Sequence, residues 1–319
     1  MEDDRSQLIG NAISAFYFSG VVALLLICFL LKLNSTIWML CGIIVMGAAM
    51  GITSSRFIRA IRETDTFRQT ASRPLLPQWK IVKKNPMIRQ FLMVGFCRNL
   101  NVILLIPASV LYLKKGYGFS DMQAVLFSIG QICACFLFSW LSGLLIAKSG
   151  PRVAMFWGSV LCIFVSVFWI FSPVVIGPLP IFLSIFIFIL CGAAVAITEV
   201  ACSCYFLMVV PKEQQVAGSV ATNLIQGIGA GCGGIGIAGV LMWLAEHSSP
   251  FFLEYFRQYI PSGGEQAFIY KLFFLFIIPV QIFAVVQALR LKIVITDFRE
   301  KHGSDGVESA ISSGRSRSH

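Results

Sequence analysis

Gly143-Leu144-Leu145-Ile146-Ala147-Lys148-Ser149-Gly150-Pro151-Arg152 is a short polar knot between two long apolar runs. Gly150 and Pro151 stop one helix and restart the next, because proline cannot continue a helix but fits its first turn. Gly143 removes a side chain where two helices must approach closely. Lys148 and Arg152 place the turn on the cytoplasmic face of a membrane. The decapeptide therefore reads as a tight hairpin joining two membrane helices.

Composition supports a membrane setting. Of 319 residues 57% are hydrophobic and only 13% charged, and the mean hydropathy is +0.82. These values exclude an ordinary soluble domain. The predicted fold class is all-α, a polytopic helical membrane protein. The acidic start Met-Glu-Asp-Asp-Arg lacks the basic end of a secretory signal, and the apolar run behind it is too long for a signal core, so no cleavage is expected. All ten cysteines lie inside apolar runs, where they act as small hydrophobes, and imply no disulfide framework or redox motif.

A membrane helix needs about 20 apolar residues. Eight runs qualify, at 8–31, 36–58, 88–113, 121–147, 152–172, 179–209, 217–244 and 267–292. An even number puts both termini on one side. With the N-terminus inside, nineteen of the 25 Lys and Arg residues fall in inside segments, among them Arg56, Arg59, Lys83, Lys84, Lys148, Arg152 and Lys212. Only Lys32, Lys114, Lys115, Arg257 and Lys271 fall outside, and Arg98 lies within a span. This asymmetry makes both termini cytoplasmic in a cytoplasmic (inner or plasma) membrane. It also accounts for the formal charge of +10 without a nucleic-acid partner.

Residues 59–87 carry Pro74, Pro77 and Pro86 with a basic excess, and read as a cytoplasmic linker between helix groups of two and six. The domain plan is 1–58, two helices; 59–87, linker; 88–295, six helices; and 296–319, a polar tail expected to be disordered. Residues 250–260 have the aromatic density of a helix lying in the membrane interface. Aligning Gly10 with Gly218 sets Gln7 on Gln215, Ala12 on Val220 and Ser14 on Thr222, so the first two helices repeat the last two.

Gly143, Leu145, Lys148, Gly150 and Arg152 fall at the spacing of a loop signature in the major facilitator superfamily, which the chain resembles. Ala147 stands where that signature places Asp, so the carboxylate latch that the resemblance implies is not expected here. With the linker and the repeat, the resemblance implies a partial bundle equivalent to helices 5 to 12 of the twelve-helix fold. Either the chain is truncated, or a second chain or copy supplies the missing helices, or it does something other than transport. The implied function is alternating-access transport of a small solute, with an organic anion as candidate. The implied partners are the lipid bilayer and that small-molecule substrate.

Two ionisable residues stand inside spans, Arg98 and Glu199, both on helices that the resemblance assigns to the cavity. A charge in hydrocarbon is costly unless paired or hydrated, so each is a functional candidate. They are read as an ion pair whose acid takes up a proton and frees the guanidinium for an anion. Asn101, three residues after Arg98, shares its helix face and joins the candidates. Asn99, Gln131, Thr198, Ser203 and Tyr205 are further polar residues in the spans.

Gly227, Gly229, Gly231 and Gly233 lie at small-xxx-small spacing and predict close packing on a neighbour, as do Gly47 and Gly51. Pro107 and Pro279 predict bends. The three histidines lie outside the spans without metal spacing, and no cofactor motif is present. An integral-membrane enzyme is disfavoured, since no carboxylate or histidine cluster lies at a membrane surface. The remaining alternative is a non-transporting scaffold in which Arg98 and Glu199 form a structural pair.

Overall fold

The computed structural model describes residues 2–33, 37–60, 85–172, 178–211, 214–247 and 265–292. They form eight helices: α1 Glu2–Leu33, α2 Ile37–Ala60, α3 Pro86–Gly116, α4 Asp121–Ser149, α5 Pro151–Phe171, α6 Pro178–Val209, α7 Gln215–His247 and α8 Glu265–Arg290. Seven of them, all but α2, are long and apolar enough to cross a membrane, and in α2 the described apolar stretch is Ile44–Thr53. The chain is a polytopic helical membrane protein. Most of the expected linker, at 61–84, the interfacial segment at 250–260 and the tail from 293 lie outside the described residues.

The helix ends follow from local chemistry. Asn85 caps α3 by accepting from the backbone N–H of Met87, with Pro86 in the first turn. Ser120 and Gln123 form a reciprocal capping box at the start of α4. Gly150 adopts φ +81°, in the left-handed region that only glycine enters cheaply, and both ends α4 and opens α5. α3 and α8 continue through Pro107 and Pro279.

Six helices form the body. α3 packs on α7 and α8, α5 on α6 and α8, and α4 on α6, while α1 lies along the outside of α4. The deepest core centres on Trp169, whose ring meets Tyr112 edge-on at 5.3 Å and stacks on Phe274 at 6.0 Å. Beside it the Lys271 amine is fully buried and donates to the Ser172 carbonyl at 2.7 Å. A lysine counted with the outer loops thus has its amine inside the bundle, satisfied by the last carbonyls of α5, where a cation suits the helix dipole.

Glycine positions mark the tightest contacts. A Cβ on Gly143 would stand 2.9 Å from the Ser6 carbonyl, and one on Gly10 would stand 2.8 Å from that of Ser139. Gly143 therefore makes room for α1. On α7, a Cβ at Gly229 would meet the Phe96 carbonyl at 2.6 Å, and one at Gly233 would meet Ile103 at 3.0 Å. Gly227 and Gly231, expected in the same contact, face away from α3 with nothing within 4 Å among the described residues. The reason is angular: positions two apart on a helix point about 200° apart. On α2, side chains added at Gly47 or Gly51 would meet nothing within 4 Å among the described residues.

Candidate functional site

Arg98 lies on α3 and Glu199 on α6, and both are paid for by the same contact. The Arg98 guanidinium stands 3.4 Å from Glu199 Oε2, with side-chain exposures of 13% and 31%. The Tyr17 hydroxyl of α1 donates to that same carboxylate oxygen. Three helices far apart in sequence thus converge on one acid. Arg98 Nε is buried and has no hydrogen-bond partner among the described residues, leaving donor capacity that the pair does not use.

The pair lies at the deep end of a cavity of about 350 Å³ between α1, α3, α6 and α7. At the helical rise, Arg98 lies about 18 Å along α3 from Pro86, and Glu199 about 15 Å before the end of α6. These two helix ends, the start of α7 and the Gly150 turn define one end of the bundle, called here the Gly150 end. From α6 the cavity receives Cys202, Ser203 and Phe206 on the face that carries Glu199.

The α7 wall is polar. Ser219, Thr222, Asn223 and Gln226 line the cavity at positions i, i+3, i+4 and i+7, one stripe of a helix. The stripe runs from about 6 Å to about 16 Å along α7, from near the Gly150 end to the depth of the ion pair. Gly95 of α3 leaves space for the Gln226 side chain, whose Nε2 would lie 3.5 Å from an added Cβ. Sequence reading missed this stripe and Tyr17. The stripe had a signal, four polar residues at helical period in an apolar run, but it lay beside a denser run of glycines.

Other sequence candidates are placed differently. Asn101 is only 3% exposed, is not among the residues lining the cavity, and leaves Oδ1 without a partner among the described residues. Thr198 donates to the Ala194 carbonyl of its own helix at 2.8 Å, while Gln131 is buried on α4. Tyr205 donates to the Lys292 carbonyl at 3.2 Å. At the loop signature, Lys148 is exposed and Arg152 donates to the Leu289 carbonyl of α8. Among the described residues no three His, Cys, Asp or Glu side chains gather as a metal site.

The arrangement presents a guanidinium, a carboxyl group and amide and hydroxyl groups to one recess between membrane helices. Such a set offers donors that suit a small anion. Residues 2–234 match the family described as Major Facilitator Superfamily. None of the curated proteins matches the chain.

Proposed function

The chain belongs to the major facilitator superfamily, and on that premise we propose that its cavity carries a small organic anion across the membrane by alternating access, coupled to a proton or another ion. The observation that carries this reading is the half-buried Arg98–Glu199 pair at the deep end of a polar cavity. In this reading the substrate carboxylate or phosphate competes with Glu199 for Arg98, which has a spare buried donor at Nε. A proton on Glu199 weakens its hold on the guanidinium and opens the place for the anion. The α7 stripe supplies neutral hydrogen-bond donors and acceptors for the rest of the solute, and Tyr17 reports the state of Glu199 to α1.

The Gly150 end is assigned to the cytoplasm from the distribution of Lys and Arg, which gives the cavity a cytoplasmic mouth. The open sides of α1 and α7 are compatible with a second chain or copy completing the cavity. A non-transporting scaffold remains the competing reading, because a buried ion pair can be structural.

The test is uptake into proteoliposomes of radiolabelled small mono- and dicarboxylates under an imposed proton gradient. Wild type is expected to accumulate at least one of them, with Arg98→Gln losing uptake while remaining folded in detergent. Wild-type flux no higher than in empty liposomes across the panel, with and without the gradient, would favour the scaffold.

A further inference from the structure

A second cavity lies at the Gly150 end, on the other side of α6 from the first. It measures about 260 Å³ and is enclosed by the α4–α5 turn and the ends of α6 and α8. Its walls combine apolar side chains, Phe156, Met208 and Leu289, with two cations, Arg152 and Lys292. No Asp or Glu lines it among the described residues.

We propose that this cavity is a binding site for the headgroup of an anionic phospholipid. Three features point there. The first is depth: the membrane-spanning parts of α4, α5, α6 and α8 end at Ser149, begin at Pro151, end at Val209 and end at Arg290. The lining residues therefore gather where four candidate spans meet one end of the bundle, the depth expected of lipid phosphates. The second is charge: the described lining holds two cations and no acid, a set that favours an anionic occupant, and basic pockets between membrane helices recognise such headgroups. The third is the wall: a free phosphate gains nothing from Phe156, Met208 and Leu289, whereas the glycerol and upper acyl carbons of a lipid bury apolar surface against them.

Arg152 is also held in place. Its guanidinium donates to the Leu289 carbonyl at the end of α8, so one cation joins the start of α5 to the finish of α8. The Tyr205 hydroxyl, donating to the Lys292 carbonyl, fixes the backbone that carries the second cation. A phosphate between Arg152 and Lys292 would tie α5, α6 and α8 together at the membrane boundary. The site uses no residue of the transport cavity, so it stands or falls separately from the transport reading.

The experiment is a titration of the purified full chain in neutral detergent with fluorescently tailed phosphatidylglycerol and phosphatidylcholine. Phosphatidylglycerol is expected to bind at least about tenfold more tightly, as two basic side chains acting together on one anionic headgroup would give. Lys292→Gln should weaken it about fivefold, the size expected for one basic side chain. Arg290→Gln, which removes a cation at the same end but outside the cavity lining, should leave it unchanged. Arg152→Gln should resemble Lys292→Gln, and if it does not fold, Lys292→Gln alone decides. Equal binding of the two lipids would overturn the proposal, as would an equal loss in Arg290→Gln, which would indicate diffuse surface charge. Displacement of the lipid by millimolar inorganic phosphate would also overturn it, assigning the site to a small anion.

Discussion

Tyr17 is the residue on which the account adds most to what the two buried charges suggest. Its hydroxyl and Arg98 share Glu199 Oε2, so any change of charge on that acid is felt by α1. A hydrogen bond to an ionised group contributes about 1.5–3 kcal/mol. Tyr17→Phe is therefore expected to leave the protein folded but slow gradient-driven uptake about tenfold, an effect of the same order. Uptake at the wild-type rate would remove Tyr17 from the coupling path. Arg98 and Glu199 were legible in the sequence because an ionisable side chain stands out in an apolar run. Tyr17 was not, since tyrosine is ordinary in membrane helices and its partner lies 182 positions away.

At the scale of elements, α7 separates what a glycine pattern specifies from what it leaves open. Seven glycines between Gly227 and Gly239 announce close packing, but they are spread around the helix and cannot say which side docks. The fold selects Gly229 and Gly233, which back onto the carbonyls of Phe96 and Leu100. Gly229→Ala should cost about 1–3 kcal/mol by overpacking, read as a fall in melting temperature in detergent. Gly231→Ala should be neutral or raise it, because alanine favours a helix by up to about 1 kcal/mol over glycine. Equal losses for both would mean that the open side of α7 is covered in the detergent-solubilised protein. The repeat behaves similarly: the aligned Gly10 and Gly218 both lie where a Cβ would clash, but against α4 and against Val210 after α6 respectively. The sequence aligned the two glycines as a repeat, while their tight contacts and partners came from the three-dimensional arrangement.

For the whole molecule, hydropathy and turn chemistry were sufficient for the helix order, because each span must satisfy its backbone internally and announces itself by length. Which helices enclose the cavity came from elsewhere: helix order can suggest α3 and α6, but the α7 wall depends on helix rotation. The orientation drawn from Lys and Arg gives a further expectation. A thiol introduced by Lys148→Cys should react with a membrane-impermeant maleimide only from the cytoplasmic side. Lys115→Cys, at the other end of the bundle, should react only from outside. The cysteine background is controlled by wild type, and reversed labelling would invert the cavity mouth and with it the direction in which the solute enters.

The most direct test is the exchange of the two charges of the Arg98–Glu199 pair. Arg98→Glu combined with Glu199→Arg keeps an ion pair between α3 and α6 but moves the cation away from its place on α3. Abundance and melting temperature should stay close to wild type, while proteoliposome uptake of any carboxylate that wild type accumulates falls to background. An exchanged protein that transports as wild type does would contradict the claim that Arg98 receives the anion, and leave the pair a structural one.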